Sequence, residues 1–271
     1  MTDVPFADLS SFLKSRRGSI SPQEAGILSV GRRRVLGLRR EELAERAGLS
    51  VDYYTKLEQG RAGVPSYQVR ASLSKALGFD ESERAYLDLL VDPRPPQPRP
   101  QSLRAGLLEF VRGYSDGPAY MFDPGLDFVA ANEPAREILF RGVPDELRDN
   151  MARWIFLAEA SRAVFVDWRS KAEEVSGILR FALAERGDDQ RLRSLVAELM
   201  PEPAFARIWR SHIVLDKNHG QKLIRTPDHE KKTLAYETLQ SVSAPGHRIV
   251  LHKIIDHVGE SQGEGVGPGI H

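Results

Sequence analysis

The sequence predicts a mainly α-helical chain of two domains, the second an α+β unit. Three observations predict it. Asp92 to Ser102 reads DPRPPQPRPQS, and five prolines in eleven residues forbid a continuous helix and favour an extended spacer. Everything before that stretch carries apolar spacing of three or four. Beyond it, short apolar runs punctuated by Pro and Gly come first and last, with helical stripes between them. The 271 residues suit two domains of ordinary size, and the boundaries drawn are 1–92, a linker at 93–102, a second domain at 103–258 and a tail at 259–271.

Five helical patterns precede the spacer. Their apolar positions are Leu9, Phe12 and Leu13; Leu43, Ala44 and Ala47; Tyr54 and Leu57; Val69, Leu73, Ala76 and Leu77; and Ala85, Leu87, Leu89 and Leu90. Between the second and third, Ala47-Gly48 reads as a helix end with glycine in the left-handed cap. Ser50 reads as the next N-cap, its hydroxyl accepting a backbone N–H one turn in. In a helix beginning at Val51, Tyr54 and Leu57 share the inward face and Tyr53 points away from it. The outward set is then Val51, Asp52, Tyr53, Thr55 and Lys56, the positions a recognition helix lays against base edges in the major groove.

In the second domain AYMFDPGLDFVAAN (Ala119 to Asn132) reads as two strands around an Asp-Pro-Gly turn. Val175, Ile178, Leu179 and Ala182 make one helical stripe, and Leu192, Leu195, Val196 and Leu199 another. Strands return at HIVLD near Ile213, LIRTP near Leu223, Thr233 to Val242 and His247 to Ile255, so the sheet is expected to close between its first and last segments. The tail from Gly259 has five glycines and almost nothing to bury, which predicts disorder.

Net charge is zero, 38 basic against 38 acidic residues, which excludes a surface that is basic throughout. The charge is local: Lys14 to Arg61 holds eleven basic and six acidic residues, and GRRRVLGLRR (Gly31 to Arg40) carries five arginines and no acid. That asymmetry suits a phosphate-facing surface, with Arg32, Arg33, Arg34, Arg39, Arg40, Ser50 and Arg61 as the expected phosphate contacts.

RRRVLGLRREELAERAGLSVDYYTKLEQGR resembles the helix-turn-helix of XRE-type regulators, and more narrowly that of the MmyB-like transcription regulators, with FLKSRRGSISPQEAG leading in. Beyond the spacer, DWRSKAEEV, FARIWRSHIV and LAYETL resemble that family's second, PAS-like domain. The resemblance implies a five-helix DNA-binding bundle and helices wrapped over an antiparallel sheet that encloses an apolar cavity for a fatty-acid-like ligand. Its lining candidates here are Phe122, Phe128, Trp154, Phe156, Phe165, Trp168, Phe181, Phe205, Trp209 and Tyr236, with Arg180 and His212 able to meet a carboxylate. It also implies local repression. Two features depart from the family: Ala131 stands where tryptophan is usual, and Ser211 and Ile213 flank His212 in place of arginine and aspartate.

Enzyme readings find little support. There is no G-x-S-x-G, no P-loop and no HExxH, and all seven histidines fall after residue 210 at spacings that do not converge on one ion, so neither a metal nor a cofactor beyond a bound fatty acid is expected. Without cysteine there is no disulfide framework or thiolate zinc site. No apolar run resembles a signal peptide or spans a bilayer, and the expectation is a soluble cytoplasmic protein. One small module reads only a few base pairs, so a homodimer on a palindromic double-stranded operator is expected. The competing class is a lipid carrier or protein-interaction scaffold that never meets DNA.

Overall fold

The computed structural model describes residues 9–27, 35–92, 103–186, 189–214 and 218–255. The proline-rich spacer, the glycine tail and Arg32, Arg33 and Arg34 lie outside the described residues.

Five helices build the first domain: α1 (Leu9–Ser19), α2 (Arg40–Ala47), α3 (Val51–Glu58), α4 (Tyr67–Leu77) and α5 (Glu81–Val91). Their apolar faces meet in one core in which Phe12, Leu13, Leu38, Leu43, Ala44, Tyr54, Leu73 and Tyr86 are fully buried. The Phe12 ring sits edge-on to Tyr86 at 5.1 Å. The joints follow the local chemistry. Gly48 takes φ 66° and donates to Glu45 O, Leu49 donates to Ala44 O, and the Ser50 hydroxyl accepts from Tyr53 N at 3.2 Å. At the start of α2 only half of a reciprocal cap exists. Glu42 accepts from Arg39 N at 2.7 Å, but an arginine side chain has no acceptor to return.

The second domain runs α6 (Ala105–Arg112), β1 (Ala119–Phe122), β2 (Phe128–Ala131), α7 (Met151–Leu157), α8 (Ala160–Val164), α9 (Trp168–Glu185), α10 (Gln190–Leu199), α11 (Pro203–Arg210), β3 (His219–Arg225), β4 (Lys231–Ser241) and β5 (Ala244–Ile255). The sheet order is β2-β1-β5-β4-β3, antiparallel throughout, so β1 and β5 do pair, with Tyr120 opposite Val250. Strand alternation divides the side chains. Tyr120, Phe122 and Val250 face the large core under α7 to α11, while Ala119, Met121 and Ile249 face α6. Buried Asn132 fixes the entry to the sheet: its carbonyl oxygen accepts from Ala119 N and Ala135 N, and its amide donates to Tyr114 O and Gly117 O.

The Asp-Pro-Gly turn does join β1 and β2: the Asp123 carboxylate accepts from both Gly125 N and Asp127 N, and Leu126 takes the left-handed conformation (φ 68°). One local expectation is corrected. The HIVLD segment is not a strand in its described part. Ser211 ends α11, His212 turns left-handed at φ 50°, and Val214 is buried in the first domain's core instead of entering the sheet.

That core is therefore shared. Phe181 of α9 packs into it with Val214, its ring 5.4 Å from Tyr86, and Ser15 Oγ donates to Ser211 O at 2.7 Å.

Candidate functional site

Exposure divides α3. Val51, Asp52 and Lys56 are exposed, and Asp52 and Lys56 pair across one turn at 2.7 Å on the outward side. Thr55 is half-buried. Tyr53 does not stand clear of the bundle as the sequence suggested: it is half-buried and packs against the core's edge, the apolar body of a tyrosine lying along apolar surface while its hydroxyl end stays polar. Arg39, Ser50 and Arg61 are exposed around this helix, and Arg61 N donates to Lys56 O at 2.9 Å, holding the turn after α3 close to its end.

What fixes this helix against its neighbours is an acid. Glu58 is fully buried, and its carboxylate accepts from Arg17 Nε at 2.5 Å, Arg40 Nε at 2.6 Å and the Tyr54 hydroxyl at 2.8 Å. Ser10 Oγ donates to the Glu58 carbonyl. Burial pushes the Glu58 carboxyl up, but the hydrogen bonds from Arg17, Arg40 and Tyr54 outweigh it and hold it below the usual range. One carboxylate thus ties α1, α2 and α3 together. Arg40, expected on phosphate, has this structural partner while its side chain stays 44 % exposed. Glu58 was legible in the sequence as well, since Tyr54, Leu57 and Glu58 at i, i+3 and i+4 lie on the inward face.

In the second domain the twelve residues expected around a ligand do not line one cavity. Trp154 is fully buried among Phe128, Phe140 and Phe165, and Phe156, Phe205 and Trp209 form a second ring cluster, with Phe156 edge-on to Trp168. Arg180 is fully buried at the junction of the domains. It donates to Trp209 O, lies 3.2 Å from His212 Nδ1 and places its guanidinium over the Trp209 ring. Phe122 and Phe181 border a cavity of about 270 Å³ where α5 meets α9. Phe165 and Tyr236 border another, of about 260 Å³, between the start of α9 and β3.

The second cavity holds a charge cluster assembled from two distant segments of the chain. Lys171 and Glu174 on α9 and Lys222 on β3 meet at a single oxygen: Lys171 Nζ lies 2.8 Å and Lys222 Nζ 3.0 Å from Glu174 Oε1. All three side chains are almost wholly buried, at 3 %, 11 % and 12 % exposure for Lys171, Glu174 and Lys222. Burial pushes the Glu174 carboxyl up, but the two ammonium groups hold it down at about 2. Burial, and then the Lys171 charge, push the Lys222 amine down to about 7 despite Glu174. His252 is pushed to about 3 by burial and by Lys222. Half of the signal was legible, since Lys171 and Glu174 continue the inward stripe of Val175 and Ile178. The other half, Lys222, comes from a strand 48 residues away.

Among the described residues there is no group of three or more His, Asp or Glu that could hold a metal ion, and no helix is long and apolar enough to cross a membrane. Residues 8–87 match a helix-turn-helix domain, and residues 103–255 match the MmyB-like transcription regulator ligand binding domain. No curated protein matches the chain.

Proposed function

The chain belongs to the MmyB-like transcription regulators and carries a DNA-binding helix-turn-helix domain and a ligand-binding domain. From that premise we propose that it is a local repressor, working as a homodimer on a palindromic operator and responding to a small hydrophobic molecule of fatty-acid type. The observation that carries this reading is α9. One helix bears Lys171 and Glu174 at the cavity under its first turns and Phe181 in the core of the DNA-binding domain near its end. At about 1.5 Å per residue, a ligand at Glu174 lies roughly 10 Å along a rigid element from Phe181. A shift of α9 on binding would move the helix-turn-helix heads without any ligand contact to DNA.

The test is a titration of the full chain onto the DNA just upstream of its own gene, at about 100 mM salt because phosphate contacts make affinity salt-dependent, with and without a long-chain fatty acid. Tight binding changed by the lipid is the expected result; binding no tighter than to random DNA would favour the carrier or scaffold reading. Arg61→Ala should weaken binding to all sequences alike and lower the salt slope by about one. Lys56→Ala should instead cost about 1–3 kcal/mol at particular base pairs. A changed base preference with an unchanged salt slope in Arg61→Ala would reverse these roles.

A further inference from the structure

Two ammonium groups share one carboxylate oxygen in the α9–β3 cavity, and that arithmetic is unfavourable. A charge taken out of water is costly unless it is matched, and with both lysines protonated the trio carries one charge too many. The surroundings supply little relief. Tyr120, Tyr236 and His252 face the cluster as neutral groups: burial raises both phenols and keeps the imidazole unprotonated at neutral pH. Asp167 lies on the cavity wall, but its carboxylate accepts from Ser170 N as the cap of α9. The excess is shed most simply as a proton, and geometry decides which amine a molecule in the cavity can reach. Lys171 makes the shorter contact with Glu174, 2.8 Å within its own helix, whereas Lys222 reaches the same oxygen from the strand at 3.0 Å, is the more open of the two to the cavity at 12 % exposure, and has its Nζ 4.0 Å from the Tyr236 ring. The ring has room there because β3 carries glycine at the opposing position: a Cβ on Gly220 would stand 3.2 Å from the Tyr236 ring and hydroxyl.

A neutral amine beside a fixed ammonium, opening into a cavity, is the arrangement that makes a lysine a carbonyl nucleophile. We propose that Lys222 captures an apolar aldehyde as a reversible imine, with Phe165 and Leu223 on the cavity wall receiving the chain beyond the carbonyl. The amine attacks the carbonyl carbon, forming a C–N bond as the C–O π bond opens. The Lys171 ammonium faces the oxygen that gains charge. The two protons lost from nitrogen end on that oxygen, which leaves as water, so no oxidant or reductant takes part. Hydrolysis returns the free amine, as a reversible sensor needs. The regulatory consequence rests on the ligand-responsive reading above; the chemistry does not.

The probe is hexanal, added to the full-length protein at about pH 7.5 with cyanoborohydride and no DNA, followed by peptide mapping. At that pH an ordinary lysine amine is neutral in roughly one molecule in a thousand, so Lys222 should be alkylated at least about tenfold faster than the exposed Lys56, Lys75 and Lys253. Lys222→Met, which removes the nucleophile without adding a charge to the cluster, should abolish the fast adduct and leave the slow ones. An adduct spread over the exposed lysines with none at Lys222 would overturn the proposal. So would hexanoate binding that depends on Lys171 and Lys222 with no adduct formed, for the cluster would then be a receptor for an anion. Because no DNA is present, a chain that labels at Lys222 yet ignores its operator sinks the repressor reading alone, and the converse result sinks only this one.

Discussion

Glu58→Ala is expected to destabilise the DNA-binding domain by about 3–5 kcal/mol, the cost of leaving a buried partner charge unmatched. The carboxylate is fully buried and receives Arg17, Arg40 and the Tyr54 hydroxyl, and the Arg17 side chain is only 15 % exposed, so its guanidinium cannot simply turn to water. A loss that large is a big share of a domain's total stability. Denaturant unfolding of the full chain reads it, and operator binding should fall with it because α3 loses its anchor to α1 and α2. Arg40→Ala is the contrast: its side chain is 44 % exposed, so stability should change by less than about 1 kcal/mol, while DNA affinity drops. The pH dependence has a definite sign. The folded Glu58 carboxyl is held below its ordinary value by its hydrogen bonds. Its stabilisation is therefore fully present above about pH 4.3, where an unfolded glutamate titrates, and is lost as pH falls through the lower folded value. Glu58→Gln should flatten that acid limb; an unchanged acid limb would mean the clamp contributes nothing to folding.

Tyr86→Ala should cost a comparable 3–5 kcal/mol, roughly the range for removing a fully buried aromatic ring, and in addition should separate the behaviour of the two domains. Tyr86 is fully buried and its ring contacts Phe12 at 5.1 Å within its own domain and Phe181 at 5.4 Å in the other. Removing it leaves a void in the core that α9 shares with α3. Thermal unfolding should then resolve into two transitions where the parent shows coupling, and any effect of ligand on operator affinity should shrink. Tyr86→Phe keeps the ring and is the control. Should Tyr86→Ala unfold in one step with ligand response intact, the contact is packing and not a coupling element.

Much of this was legible in the order of residues. The five helices, the Gly48 and Ser50 joint, and the two stripes of α9 and α10 all follow from signals that act over a few positions. A cap needs only a hydroxyl and an N–H three residues on, and a stripe needs only its own period. HIVLD misled because a β-branched run reads as strand whatever its surroundings, and here a left-handed His212 sends Val214 into another domain's core.

The sequence by itself determined the two-domain division into a helical half and an α+β half, the inward positions Tyr54 and Leu57 of α3, and the family. Only the tertiary structure decided which charges are buried and what they meet. Arg17 and Glu58 are 41 residues apart, and Glu174 and Lys222 are 48. A charged side chain in a sequence reads as solvated, since most are. Whether it is instead withdrawn from water, and with what partner, depends on which distant segment packs above it, and no period or cap carries that information.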